Sequence, residues 1–460
     1  MSAIDSGELP IVADPLPLGG HTNLRRSLRA MRQNAETAYG PEDFNADIIT
    51  QRIFWRRMFV VNEPNAIRHI VLDNAANYTK SEVGRRLLEP ALGRGLLTSE
   101  GETWRRHRRI MAPAFDPRSV AGYTPIMTRL TEQLLAKWDA LPAPRELDVA
   151  AAMMELTLYI ISNAMFSSDS DEIVASVERG VSTYQTKVRP SLPDLLHLPI
   201  WLSRLLAPLP TKIFSEFDLK VDRLLTERGK QPDAEPKDLL ARLIAARDDE
   251  TGSGMSAKEV RDQVVTIFMA GHETTSLALS WTFYLLSQHP EIEAKLHAEL
   301  ADVLDGRTPV NQDVARLRYT RMVIEESMRL YPPAHTFGRQ PIVDDHILGH
   351  RIPAGAEVLI LPWLIHRKPS LWENPELFDP ERFAPERTGA RPRFAYIPFG
   401  AGARICIGAA FAMTEATLIL ACIAQRYRLR LVPGHPVEPQ GLITLRPRYG
   451  LRMTLQRRAH

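Results

Sequence analysis

The residue of this sequence best placed to do chemistry is Cys406. It ends the run Phe399-Gly400-Ala401-Gly402-Ala403-Arg404-Ile405-Cys406-Ile407-Gly408, just ahead of an apolar helical stretch. A cysteine before a helix N-terminus lies in positive potential, which favours the thiolate, the form that binds metal. Gly400, Gly402 and Gly408 let the backbone approach a flat ligand and aim amide N–H groups at the sulfur. Phe399 can shield the sulfur from water, and Arg404 can meet an acidic group. A lone cysteine after glycines is more often a small buried side chain in a turn. The spacing of the whole run sets this one apart. Cys422, within the apolar run Ala416–Ala424, reads as the ordinary buried kind.

Three further constellations carry chemistry. Ala270-Gly271-His272-Glu273-Thr274-Thr275 places a glycine, a carboxylate and a hydroxyl in an apolar helical pattern. Glycine there costs about 1 kcal/mol relative to alanine. Either the helix tolerates it and a threonine bonds back to its own helix, or the turn widens for a small ligand. In that second case Thr274 donates a hydrogen bond and Glu273 relays protons. His272 reads as helix filler. Glu326-Ser327-Met328-Arg329 sets opposite charges at i and i+3 between apolar flanks. Buried charges need complete pairing, so a third member is expected, and Arg382 of Pro380-Glu381-Arg382-Phe383 is the candidate. Trp104 and Arg108 share a helix face, so an indole N–H and a guanidinium could hold one carboxylate.

Together these segments resemble the cytochrome P450 family. The cysteine run is similar to its haem-binding signature at every fixed position. Residues 270–275 resemble its oxygen-activation motif, Glu326/Arg329 and Arg382 its core-locking helix and arginine, and Trp104/Arg108 its propionate-binding pair. All occur in family order across about residues 40–455. The resemblance implies a mainly α fold with small β-sheets: a triangular helical domain with a long central helix over the haem. It implies haem b with Cys406 as axial iron ligand. Trp104, Arg108, Arg339, Arg404, Phe399, Gly400, Gly408, Ala270 and Gly271 would contact the cofactor. Thr274 and Glu273 would be catalytic, and Glu326, Arg329 and Arg382 structural. The implied reaction inserts one oxygen atom of dioxygen, the co-substrate, into a C–H bond. Leu88, Leu96, Phe268, Phe337 and Ile443 are the implied pocket residues. They suggest a hydrophobic substrate such as a fatty acid, terpenoid or steroid. With no flavin or iron–sulfur segment after Cys406, electrons are expected from NAD(P)H through a separate ferredoxin and ferredoxin reductase. A peroxide-driven enzyme and a haem sensor are the competing readings; the acid–alcohol pair argues against both.

The elements that must position these groups follow from pattern. Ser256-Ala257-Lys258-Glu259 is a capping box, and apolar periodicity continues to Leu286 before Pro290. That helix of about 30 residues would run about 45 Å. Pro190–Pro210 reads as an apolar loop region. A single domain over 1–460 is expected, β-rich at about 40–75, 335–400 and 428–457, helical at about 100–330 and 408–425.

Composition excludes several classes. Hydrophobic residues are 44% and charged residues 24%, as in globular proteins. Net charge is +2, which gives no field for nucleic acid. Two cysteines exclude a disulfide framework and suit a reducing cytosol. No signal peptide or membrane anchor is expected, so the expectation is a soluble, cytoplasmic monomer. The arginines of 105–109 read as a solvated face or a docking site for an acidic electron donor.

Overall fold

The computed structural model describes residue 34 and residues 39–53, 55–167, 180, 191–206, 215–229 and 238–458. Helices dominate. The longer ones that position the site are α1 (Glu82–Leu92), α2 (Gly101–Met111), α3 (Val149–Phe166), α4 (Ala257–Gln288), α5 (Arg318–Leu330) and α6 (Ala409–Arg426). The strands are β1 (Ile48–Ile53), β2 (Arg56–Val61), β3 (Tyr78–Lys80), β4 (Glu146–Asp148), β5 (Phe337–Pro341), β6 (Asp345–Ile347), β7 (His350–Ile352), β8 (Glu357–Ile360), β9 (Tyr427–Leu431), β10 (Pro439–Gly441), β11 (Leu445–Pro447) and β12 (Arg452–Arg457). β3 and β4 fall outside the three β-rich stretches expected. They are short, and their partners are distant in sequence.

The main sheet has the order β1-β2-β8-β5-β3, with β2 and β8 parallel and the other pairs antiparallel. The register sets Lys80 of β3 opposite Arg339 of β5. Sheet β4-β12-β9 and the pairs β10-β11 and β6-β7 complete the strands among the described residues. One apolar core lies among the helices, and a second lies under the main sheet around Phe59, Val61, Ile67 and Val358.

α4 forms as its capping box dictates. The Ser256 hydroxyl accepts the Glu259 N–H, and the Glu259 carboxylate accepts the Ser256 N–H at 2.8 Å. Its 32 residues run through the core, and nearly every side chain from Asp262 to Leu286 is buried. α3 packs along it, and the Thr157 hydroxyl donates to the His272 carbonyl at 2.9 Å. α3 and α6 are long and apolar enough to cross a membrane, and both are mostly buried in the core. The Pro190–Pro210 region carries short helices, Leu192–Leu195 and Ile200–Leu206; residues 190 and 207–210 lie outside the described residues.

Candidate active site

The cysteine loop is built from backbone. Gly400 and Gly402 adopt φ of +69° and +70°, in the left-handed region that favours glycine. At Gly402 the choice is absolute, because a Cβ would lie 1.9 Å from the Val71 carbonyl oxygen. The Cys406 N–H donates to the Phe399 carbonyl at 2.9 Å, which folds the loop back on itself. Gly408 then caps α6. The Cys406 side chain is solvent-accessible, yet surrounding protein desolvates the sulfur. The sulfur is thus reachable while closely surrounded by protein. Burial pushes the thiol pKa up, while the Gly408 N–H and the charge of Arg108 oppose the rise. The helix-end field expected from sequence alone is outweighed by desolvation in the free thiol.

Beside this loop stands a cluster of cations. Arg404 pairs with Glu100, and its guanidinium lies 4.6 Å from the centre of the Trp104 ring. Its Nη1 is buried without a hydrogen-bond partner among the described residues. Arg339 is buried, rests 5.2 Å from the Phe337 ring centre, and donates to its neighbour's carbonyl, Gly338 O, at 2.9 Å. Burial, then repulsion from Arg404, holds its pKa down to about 10. Lys80 donates to the carbonyls of Leu96 and Ser99 at 2.8 and 2.7 Å. Burial, then Arg404, lowers its ammonium to about 7, with Glu100 opposing and Arg339 adding to the fall. Like charges across a strand pair repel, and here three cations share one carboxylate, Glu100. A recess of about 190 Å³ lined by Trp104, Arg339, Ala403 and Arg404 opens beside them. Excess positive charge, one buried donor without a partner and an adjacent recess fit a group bearing carboxylates, such as haem b with its propionates. Arg108 does not join this cluster directly. It donates to the Ile405 carbonyl at 2.8 Å and ties α2 to the cysteine loop.

On α4, Ala270, Gly271 and Thr274 are partly exposed while the flanking turns are buried. The Thr274 hydroxyl donates to the Ala270 carbonyl at 2.8 Å, as a threonine bonded back to its helix does. The helix remains α throughout, so the widened turn considered from sequence does not show as a change of helix type. A Cβ on Gly271 would meet Ile161 at 3.7 Å, an ordinary contact, so packing alone does not demand glycine. Glu273 is buried and accepts the Thr444 hydroxyl at 2.5 Å. His272 is buried and bonded to the Phe268 carbonyl, and burial holds its imidazole down to about 4, a neutral filler.

Glu326 and Arg329 are fully buried and joined by two hydrogen bonds of 2.7 and 2.8 Å. Arg329 also donates to the carbonyls of His366, Pro375 and Leu377. Arg382 joins as the third member at 3.3 Å from Glu326, and the Asp379 N–H donates to Glu326 at 2.9 Å. His366 extends the network, since its Nε2 accepts the Ile397 N–H at 2.8 Å, two residues before Phe399. The charge network thereby reaches the cysteine loop.

Among the expected pocket residues, Leu88, Leu96 and Ile443 are half-buried against the main core. Phe268 is not a lining residue. It is 1% exposed and stacks on Phe166 at 5.5 Å, because six residues before Thr274 it is turned about 120° away on the helix. Phe337 belongs to the sheet core, beside Arg339. The arginine run of α2 is largely neutralised: Arg105 by Glu102, Arg106 by Glu259, and Arg109 by Asp248 and Glu250.

Sequence reasoning missed four residues. Lys80 stands in no motif, and only its pairing with Arg339 reveals it. His366 and Thr444 act through partners distant in sequence. Glu415 is buried on α6, bonded to Thr275, and pushed by burial up to about 8, so it is protonated at neutral pH. A lone glutamate in the apolar run 409–424 was the available signal.

The cytochrome P450 family model matches residues 12–451. Cyclooctatin synthase of Streptomyces melanosporofaciens is 36% identical over 443 residues, covering 94% of this chain and 92% of that one. Cyclooctat-9-en-7-ol 5-monooxygenase of the same organism is 35% identical, covering 91% and 89%. The crystal structure of a cytochrome P450DA heme domain superposes with a TM-score of 0.79 at 28% identity, covering 90% of each chain. This chain belongs to the cytochrome P450 family. It is a haem- and dioxygen-dependent monooxygenase that acts on a hydrophobic small molecule, with electrons from redox partner proteins.

Proposed function

We propose that this enzyme hydroxylates a terpenoid of largely hydrocarbon character, and that Cys406 would hold haem b through its sulfur. The carrying observation is the cluster of Lys80, Arg339 and Arg404, whose excess positive charge beside the cysteine loop matches two propionates. Bound there, the haem supplies dioxygen activation, helped by electron density from a thiolate ligand. The chain supplies the rest. Gly408 directs its N–H at the sulfur, and Arg108 adds positive charge nearby. Trp104 and Arg108 complete the cofactor contacts. Thr274 holds a hydroxyl on the exposed facet of α4, and Glu273 beside it is the acid that moves protons. Leu88, Leu96 and Ile443 exclude water and hold apolar substrate by burial.

The substrate class rests on two supports. Those side chains are hydrocarbon, and one relative's name specifies an alcohol of a hydrocarbon skeleton, cyclooctat-9-en-7-ol. A ferredoxin and its reductase, drawing on NAD(P)H, are the electron donors we infer. A soluble, cytoplasmic monomer is the state we infer; burial of the two apolar helices in the core fits solubility.

Two measurements test this. Cys406→Ser should abolish the long-wavelength absorption of the reduced carbon-monoxide complex, and its survival would remove Cys406 as ligand. A spectral binding screen of terpenoids, fatty acids and steroids should give tightest binding among terpenoids. Tightest binding of a fatty acid or a steroid would refute the substrate class.

A further inference from the structure

The turn 442–445, between β10 and β11, touches the reaction acid and a pocket residue at adjacent positions. It is closed by the Leu442 N–H donating to the Thr444 carbonyl at 3.0 Å. Its frame is braced from outside. The Leu445 N–H donates to the Pro333 carbonyl at 3.0 Å, and the Trp281 indole donates to the Leu445 carbonyl at 3.1 Å. His335 Nε2 meets the Leu442 carbonyl at 2.9 Å. Within that frame, Ile443 is half-buried against the core, and the next residue, Thr444, donates its hydroxyl to Glu273 at 2.5 Å. Both Thr444 and Glu273 are buried. Arg446, two residues on, attracts the same carboxylate. An O–H···O bond this short to a carboxylate is charge-assisted, about twice as strong as a neutral one. The bond therefore fixes where the Glu273 carboxylate points.

We propose that this turn couples substrate occupancy to proton delivery: Thr444 holds Glu273 on the hairpin, and substrate pressing on Ile443 releases it toward Thr274. This rests on the roles given above to Glu273, Thr274 and Ile443. Residues 443 and 444 share one peptide plane, and hydrogen bonds anchor Leu442 and Leu445 on either side. A push on Ile443 is then taken up as rotation at Thr444 and loss of alignment with Glu273. A directional hydrogen bond weakens steeply with such misalignment. The logic suits the reaction, since protons delivered without substrate let reduced dioxygen leave as hydrogen peroxide. Thr444 and Arg446 are positioning residues in this scheme.

Thr444→Val removes the hydroxyl at similar volume, and Thr444→Ser retains it. In the holoenzyme with a ferredoxin and its reductase, substrate-free NAD(P)H consumption and peroxide release should rise at least about threefold in Thr444→Val, and Thr444→Ser should restore them. Infrared spectra of protein carrying labelled glutamate give a readout independent of turnover. The carboxylate band lost in Glu273→Gln should be displaced in Thr444→Val without substrate. In the wild type it should shift the same way when the tightest binder of the terpenoid screen is added. An unmoved band in Thr444→Val, or unchanged substrate-free consumption, would leave Thr444 a simple brace and overturn the proposal. If Thr274→Ala and Glu273→Gln uncouple turnover while Thr444→Val does not, this inference alone fails. If Thr274→Ala and Glu273→Gln leave coupling intact, the underlying roles fail with it.

Discussion

Two buried charge clusters in this enzyme are built on opposite terms. Around Glu326, every Arg329 donor has an acceptor: the guanidinium meets both carboxylate oxygens and three carbonyls, and Arg382 and the Asp379 N–H add to the shell. Around Glu100, Lys80, Arg339 and Arg404 crowd one carboxylate, and Arg404 Nη1 is left without a partner among the described residues. The first cluster is closed and serves the fold. The second carries excess positive charge and suits an anionic group. Here the cluster whose central ion pair is fully hydrogen-bonded serves structure, and the cluster with crowded cations beside a recess serves binding.

That contrast can be broken by substitution. The largest effect is expected at the closed cluster. Arg329→Ala leaves Glu326 buried without its main partner and should cost about 3–5 kcal/mol of stability, with loss of haem as the fold loosens. Thermal unfolding and haem content check it. At the open cluster the sign differs. Arg404→Leu relieves repulsion on Lys80 and Arg339, so the haem-free protein should unfold no earlier than wild type while haem binds more weakly. Equal destabilisation by both substitutions would end the distinction.

A smaller effect sharpens it through pH. The Lys80 ammonium is lowered to about 7 in the folded chain against an ordinary 10.5. Between these values the unfolded chain binds more protons, so stability rises with pH from about 7 to 10.5. The penalty below pH 7 is on the order of 2–5 kcal/mol in haem-free protein. Lys80→Met should flatten that slope, and haem should too by supplying the missing carboxylates. Denaturant titrations at pH 7 and pH 9.5 measure it.

The sequence made the chemistry readable where it is local. The cysteine run, the capping box at Ser256 and the Glu326–Arg329 spacing each announce themselves within a few residues. Charge pairing called for a third member, the family resemblance pointed to Arg382, and Arg382 joins the network. What stayed hidden depends on distant partners. The arginines of 105–109 looked like a docking face because Asp248, Glu250 and Glu259 lie far along the chain. Lys80 is visible only once β3 pairs with β5. Phe268 was misassigned because apolar character does not reveal which way a fully buried helix faces.

The contact between Gly402 and the Val71 carbonyl reaches into how the enzyme matures. Backbone meets backbone there, so no side-chain change at position 71 can loosen the fit. The two strands of chain come from opposite ends of the sequence. The cysteine is made long after Val71, so cofactor capture waits for its loop to meet that earlier segment.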